Sequence, residues 1–182
     1  MKGEPMRNNR NDDHGPKQPM LVQPNIGLDS EVRHAVVALL NIILADEVVL
    51  ITKTRCAHWN ILGADFYGLR SLYKIQYQDM INISDAIAER VRMLGGFAIG
   101  SMEEFLRATR LEEQPEIVPD VLHLLANYET SIRFLREDVR KCGEEYEDAG
   151  TLDLLVDLMR LHEKTAWVLR AYIKNEKQPH TF

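Results

Sequence analysis

A chain of 182 residues with 45% hydrophobic content suits one domain with a sizeable core. Its formal charge of −6 argues against a body that grips nucleic acid electrostatically, because phosphates are neutralised by Lys and Arg. Two cysteines, Cys56 and Cys142, without a signal-peptide pattern point to a reducing cytoplasm and away from a disulfide framework. The apolar run over residues 35–45 is too short to span a bilayer, contains Asn41 and is followed by Asp46 and Glu47, so a soluble protein with no membrane partner is expected.

Residues 1–25 are rich in Pro, Asn, Asp, Gly and Lys without periodicity, which predicts a flexible N-terminal tail. Residues 1–23 hold four cations, Lys2, Arg7, Arg10 and Lys17, against three anions, which leaves −7 on the body. The tail reads either as a solvated leader or as an arm touching DNA, and many copies on one particle add avidity.

The bundle proper is expected over residues 26–175, followed by a short C-terminal tail, 176–182. Its first long helix should start near Asp29 or Ser30 and run to about His58. The centre, AVVALLNIILADEVVLI, is apolar almost all round, and its length decides for helix over strand. Such a helix must be buried on nearly every side, and oligomerisation is the expected cover.

A second helix is expected from about Asp65 to Leu94, with a seam of Phe66, Leu69, Tyr73, Met80, Ile83, Ile87 and Leu94 closing at Gly95 and Gly96. The connection that follows is too long for a simple turn. Ser101 and Glu104 form a capping-box pattern there, with Met102, Phe105 and Leu106 as the apolar face of a short helix. The third long helix opens after Pro119 along Val121, Leu125, Tyr128, Ile132, Leu135, Val139 and Cys142. The fourth follows Gly150 and Thr151 along Leu154, Leu158, Leu161, Thr165, Val168 and Tyr172. The fold class is all-α: a ferritin-like four-helix bundle with a long crossover between the second and third long helices.

Polar residues on the second helix come in pairs, Arg70 with Lys74 and Asp85 with Glu89, each four apart on one face. Asp85 and Glu89 with His58 make a mixed nitrogen and oxygen set that suits iron or zinc, although Asp-x-x-x-Glu is equally an ordinary solvated face. Lys74 and Asp85 lie about 16 Å apart along the helix at 1.5 Å per residue, so the two clusters can meet only across a two-fold axis between subunits. Trp59, Tyr67, Tyr73 and Tyr77 fall near this region and are expected in the core.

The wording HWNILGADFYGL from His58, with DAIAERVRMLGG from Asp85, resembles the Dps family of mini-ferritins, DNA-binding proteins of starved cells, over most of residues 28–173. The resemblance implies a homododecameric cage that oxidises Fe(II), often with hydrogen peroxide, stores the ferric product and protects DNA, in the cytoplasm and in association with the nucleoid. It implies iron held at a dimer interface by His58, Asp85 and Glu89, with Trp59 alongside. A second histidine and a further aspartate belong where this chain has Arg70 and Lys74. It also implies a three-fold pore lined by Asp148, Asp153 and Asp157. The family's set of two histidines and three carboxylates carries a formal −3, whereas the five residues here sum to zero. A weakened ferroxidase is therefore expected, with Arg70 and Lys74 pairing to Asp85 and Glu89 across the interface. The rival reading is a non-catalytic cage or nucleoid protein that has lost the ferroxidase.

Overall fold

The structure, a computed structural model, describes residues 22–176. Lys2, Arg7, Arg10 and Lys17 of the expected DNA-contacting tail, and residues 177–182, lie outside the described residues. Five helices follow in order, with no strand among the described residues: α1 Ser30–Asn60, α2 Phe66–Met93, α3 Met102–Ala108, α4 Val121–Glu144 and α5 Ala149–Glu176.

Local chemistry sets the ends. α2 finishes in a Schellman arrangement, with Gly96 N–H donating to Val91 O and Gly95 N–H to Arg92 O, both at 3.0 Å. Gly95 sits at φ +85°, where a side chain is strained, and a Cβ on Gly96 would lie 2.5 Å from the Val37 methyls. α3 has the full reciprocal capping box of Ser101 and Glu104. Of its expected apolar face only Phe105 is buried; Met102 and Leu106 are exposed, since a two-turn helix lying on α1 offers the core one residue.

α4 starts one residue after Asp120, whose Oδ1 accepts from the His123 amide at 2.8 Å and contacts the His123 ring at 2.7 Å. Partial burial pushes the Asp120 carboxyl up, but the His123 amide and then the ring bring it below its ordinary value. A depressed folded-state pKa gives stability that is present above the unfolded value and lost as pH falls through the folded one. Asp120→Ala is expected to cost about 1 kcal/mol at neutral pH and less in acid, read as a shift in urea midpoint at the two pH values. An equal cost at both would contradict the cap.

α1 packs against α2, α3 and α4, and α4 pairs with α5. The crossover takes over part of the cover expected to come from assembly. From Ile43 to Leu50 every α1 residue except the half-buried Val48 is buried within a single chain, because the crossover covers the side that a plain bundle leaves open. By length and composition α1 could cross a membrane, but most of it is packed inside the bundle and it carries the buried Asp46 and Glu47. The exposed apolar side chains lie elsewhere, including Trp59, Leu62, Tyr67, Ile75 and Ile81.

The buried stripes of α4 and α5 are rotated from the expected seams. They run through Leu124, Tyr128, Ser131, Leu135, Asp138 and Cys142, and through Thr151, Leu155, Leu158, His162, Thr165, Ala166 and Leu169. Polar residues lie on both, so a count of apolar residues alone placed the inward face off-centre.

Candidate functional site

His58 closes the last turn of α1 and is 6% exposed. Its Nδ1 lies 2.8 Å from the main-chain oxygen of Arg70 in the first turns of α2, and Tyr77 meets the ring edge-on at 5.5 Å between centroids. Arg70 is half-buried; its Nη1 donates to His58 O at 3.3 Å and its Cζ lies 5.6 Å from the centre of the Phe66 ring. Within one chain, therefore, the Arg70 guanidinium is turned back onto the end of α1. Lys74, Asp85 and Glu89 are exposed and form no ion pair among the described residues. Arg55, also exposed, lies over Trp59 at 5.0 Å and near Tyr77 at 5.9 Å. No group of three His, Cys, Asp or Glu converges on a common metal position among the described residues of one chain.

The nearby aromatics part ways with the expected core. Only Tyr73 is buried, at 1% exposure, while Trp59 is 59% and Tyr67 83% exposed. Their helical spacing is real, but they stand at the open edge between the end of α1 and the start of α2.

The three acidic residues at the start of α5 also divide. Asp153 and Asp157 are exposed, and Asp157 pairs with Arg160 at 3.0 Å. Asp148 is buried, bound by Arg90 at 2.7 Å, and caps α5 by accepting from the Thr151 amide at 3.1 Å. Its charge is therefore neutralised inside the chain by a guanidinium that also donates to Thr151 Oγ1.

Two buried constellations escaped the sequence reading. In the bundle interior His162 Nε2 lies 2.7 Å from Glu47 Oε1, with the side chains 0% and 1% exposed, beside the Tyr128 ring. Burial raises the Tyr128 phenol well above its ordinary value, so it stays protonated. At the crossover, Arg110 is held between two buried carboxylates. Its Nε and main-chain N–H donate to Asp46 at 2.8 and 2.6 Å, and its Nη1 and Nη2 donate to Asp138 at 3.2 and 2.8 Å. The available signal was charge inside an apolar run: Asp46 and Glu47 interrupt IILADEVVLI, and Asp138 and His162 fall between apolar neighbours at helical spacing.

Comparison with known proteins accords with this architecture. A family model described as a ferritin-like domain matches residues 37–178. The chain is 44% identical over 156 residues to an uncharacterised low temperature-induced protein of Nostoc sp., covering 84% of this chain and 87% of that one. It is 32% identical over 149 residues to a DNA protection during starvation protein of Porphyromonas gingivalis, covering 80% and 93%. Its fold matches the crystal structure of a Dps protein from Vibrio cholerae, described as a member of a broad superfamily of ferritin-like diiron-carboxylate proteins. That match has a TM-score of 0.77 and 28% identity, over 86% of this chain and 99% of that one.

A four-helix bundle with a helical crossover that matches the ferritin-like model over most of its length is a ferritin-like protein. Within that class the chain belongs to the Dps family.

Proposed function

We propose that this chain builds a Dps-type cage that sequesters iron and so protects DNA, with an interfacial iron site weakened because Arg70 and Lys74 stand where two further ligands are expected and Lys74 adds an opposing charge. The observation that carries the reading is the placement of its candidate ligands. His58 stands at one end of the α1–α2 face, Asp85 and Glu89 at the other, and all three lack an ion-pair partner among the described residues. A second copy related by a two-fold axis brings the histidine of one subunit against the carboxylates of the next. The exposed Trp59, Tyr67, Ile75 and Ile81 supply apolar surface for such a contact on the same two helices.

The donors fit Fe(II) in type, one imidazole and two carboxylates, but not in net charge. Lys74 is exposed on this face, and a partner's carboxylates are its natural counter-ions. In this reading iron is the substrate: His58, Asp85 and Glu89 hold it while peroxide accepts its electrons, and Lys74 competes for the same oxygens. Asp153 provides exposed negative charge at the start of α5, suited to drawing cations towards a three-fold opening, with Asp157 shared with Arg160 and Asp148 acting as the cap behind them. Contact with DNA falls to the cationic tail, since the body carries −7. The non-catalytic cage remains the second reading, favoured by the same zero charge sum.

Anaerobic addition of Fe(II) followed by hydrogen peroxide tests the proposal. Iron is expected to co-sediment with a closed high-order particle as ferric mineral. Iron that precipitates apart from the protein would leave the non-catalytic cage.

A further inference from the structure

The contact between His58 and Arg70 fixes more than packing. A main-chain carbonyl oxygen has no proton to give, so the 2.8 Å contact requires His58 Nδ1 to be the donor. The neutral ring therefore carries its proton on Nδ1 and its lone pair on Nε2, which makes no hydrogen bond among the described residues. Arg70 closes the arrangement from its other end, with Nη1 donating to His58 O at 3.3 Å. Two bonds thus tie the last turn of α1 to the start of α2. The guanidinium is steadied by the Phe66 ring and the imidazole by the edge of Tyr77. Because the ring is 6% exposed, it has little room to turn over.

We infer that Arg70 is a positioning residue for His58: its carbonyl accepts from the imidazole Nδ1–H, its guanidinium clamps the His58 main chain so that this contact keeps its register, and Nε2 is thereby presented as a ligand to a borderline divalent cation. The inference rests on reading His58 as an iron ligand, and it reverses the part expected of Arg70. The guanidinium is a strut on the ligand and does not stand in the metal's place. Lys74, exposed and without an ion pair among the described residues, is left as the electrostatic obstacle. Main-chain oxygens and carboxylates commonly fix the second nitrogen of a metal-binding histidine, and losing such support costs 10- to 100-fold in metal affinity; removing the Arg70 side chain keeps the carbonyl but frees it to drift from Nδ1, so the lower end of that range applies.

The two roles for Arg70 predict opposite signs. Co(II), added alone to the assembled protein at neutral pH, is followed by its visible bands and by calorimetry. With Arg70→Met, binding is expected to weaken about 10-fold or more; Arg70→Lys, which keeps a donor, should retain part of it; His58→Ala should abolish the bands. Equal or tighter binding by Arg70→Met overturns the positioning role. If the unsubstituted protein shows no bands that depend on His58, the iron reading fails, and the strut is judged by a metal-free measurement. Solid-state 15N spectra of histidine-labelled protein, with the His58 signal assigned by its loss in His58→Ala, should show the Nδ1–H form and its erosion in Arg70→Met. An Nε2–H form in the unsubstituted protein, or no change in Arg70→Met, also overturns the inference. Sedimentation of each variant checks that the assembly is intact, and Arg70→Lys carries the comparison if Arg70→Met fails to assemble.

Discussion

Replacing Arg110 by methionine is expected to destabilise the chain by about 3–5 kcal/mol, a large share of the roughly 5–15 kcal/mol available to a domain. The reason is the pair of carboxylates left behind. The Asp46 and Asp138 side chains are 4% and 2% exposed, and Arg110 is the only guanidinium bound to either among the described residues. Burial raises the Asp138 carboxyl and the Arg110 hydrogen bonds lower it, leaving it above its ordinary value even with the partner in place. Methionine fills similar space beside Phe134 but offers no donor, so burial acts unopposed by that cation. A folded-state pKa above the unfolded value contributes stability below the unfolded pKa and loses it as pH rises through the folded one. The deficit of Arg110→Met should therefore be greatest near neutrality and shrink towards pH 4, where the orphaned Asp138 accepts a proton. Urea midpoints at fixed protein concentration measure it. Arg110→Lys keeps the charge but cannot bridge both carboxylates as a planar fork, and should fall between the two. A loss under about 1 kcal/mol in Arg110→Met would show that the crossover is not pinned by this residue.

The double replacement Arg70→His with Lys74→Asp is expected to speed Fe(II) oxidation by hydrogen peroxide at least about tenfold, a barrier change of about 1.4 kcal/mol. A unit cation held about 4 Å from a divalent ion opposes it by on the order of 8 kcal/mol at an effective dielectric near 20. Lys74 is exposed and can swing away, so only a fraction of that opposition persists. The replacement removes the cation and supplies an imidazole and a carboxylate, restoring the formal −3 of the family set. Lys74→Asp alone should also accelerate the reaction. Arg70→Met alone should slow it, because His58 loses its strut. Stopped-flow absorbance after mixing Fe(II)-loaded protein with peroxide gives the rates. Fast oxidation by the unsubstituted protein that the double replacement leaves unchanged would remove Arg70 and Lys74 from the account.

The reading of this site also changes what assembly has to supply. The interior of α1 is already covered by the crossover, so apolar burial on that helix no longer argues for a cage. The exposed aromatic and aliphatic side chains around Trp59, Tyr67, Ile75 and Ile81 now carry that argument, and they flank the candidate ligands. In the proposed function, assembly and metal binding would be linked through one face, so that weakening either weakens the other.

Elements whose causes are local were legible in the residues. The α2 terminus at Gly95–Gly96 and the Ser101–Glu104 box before α3 follow from local caps, and the structure has both; α1 also starts at Ser30 as expected, although Asp29 before it makes no side-chain cap bond. The family wording between His58 and Gly96 was legible in the same way. Tertiary structure decided which charges are buried and by what they are neutralised. Glu47 and His162 are 115 positions apart, and the Asp46–Arg110 and Arg90–Asp148 pairs are separated by 64 and 58. Helical periodicity assigns a residue to a face but cannot say which distant side chain lies opposite, and that partner decides whether a carboxylate is solvated, caps a helix or sits in a core. Arg70 shows the same limit: its spacing places it beside Lys74, and only the close approach of α1 to α2 turns its guanidinium onto His58.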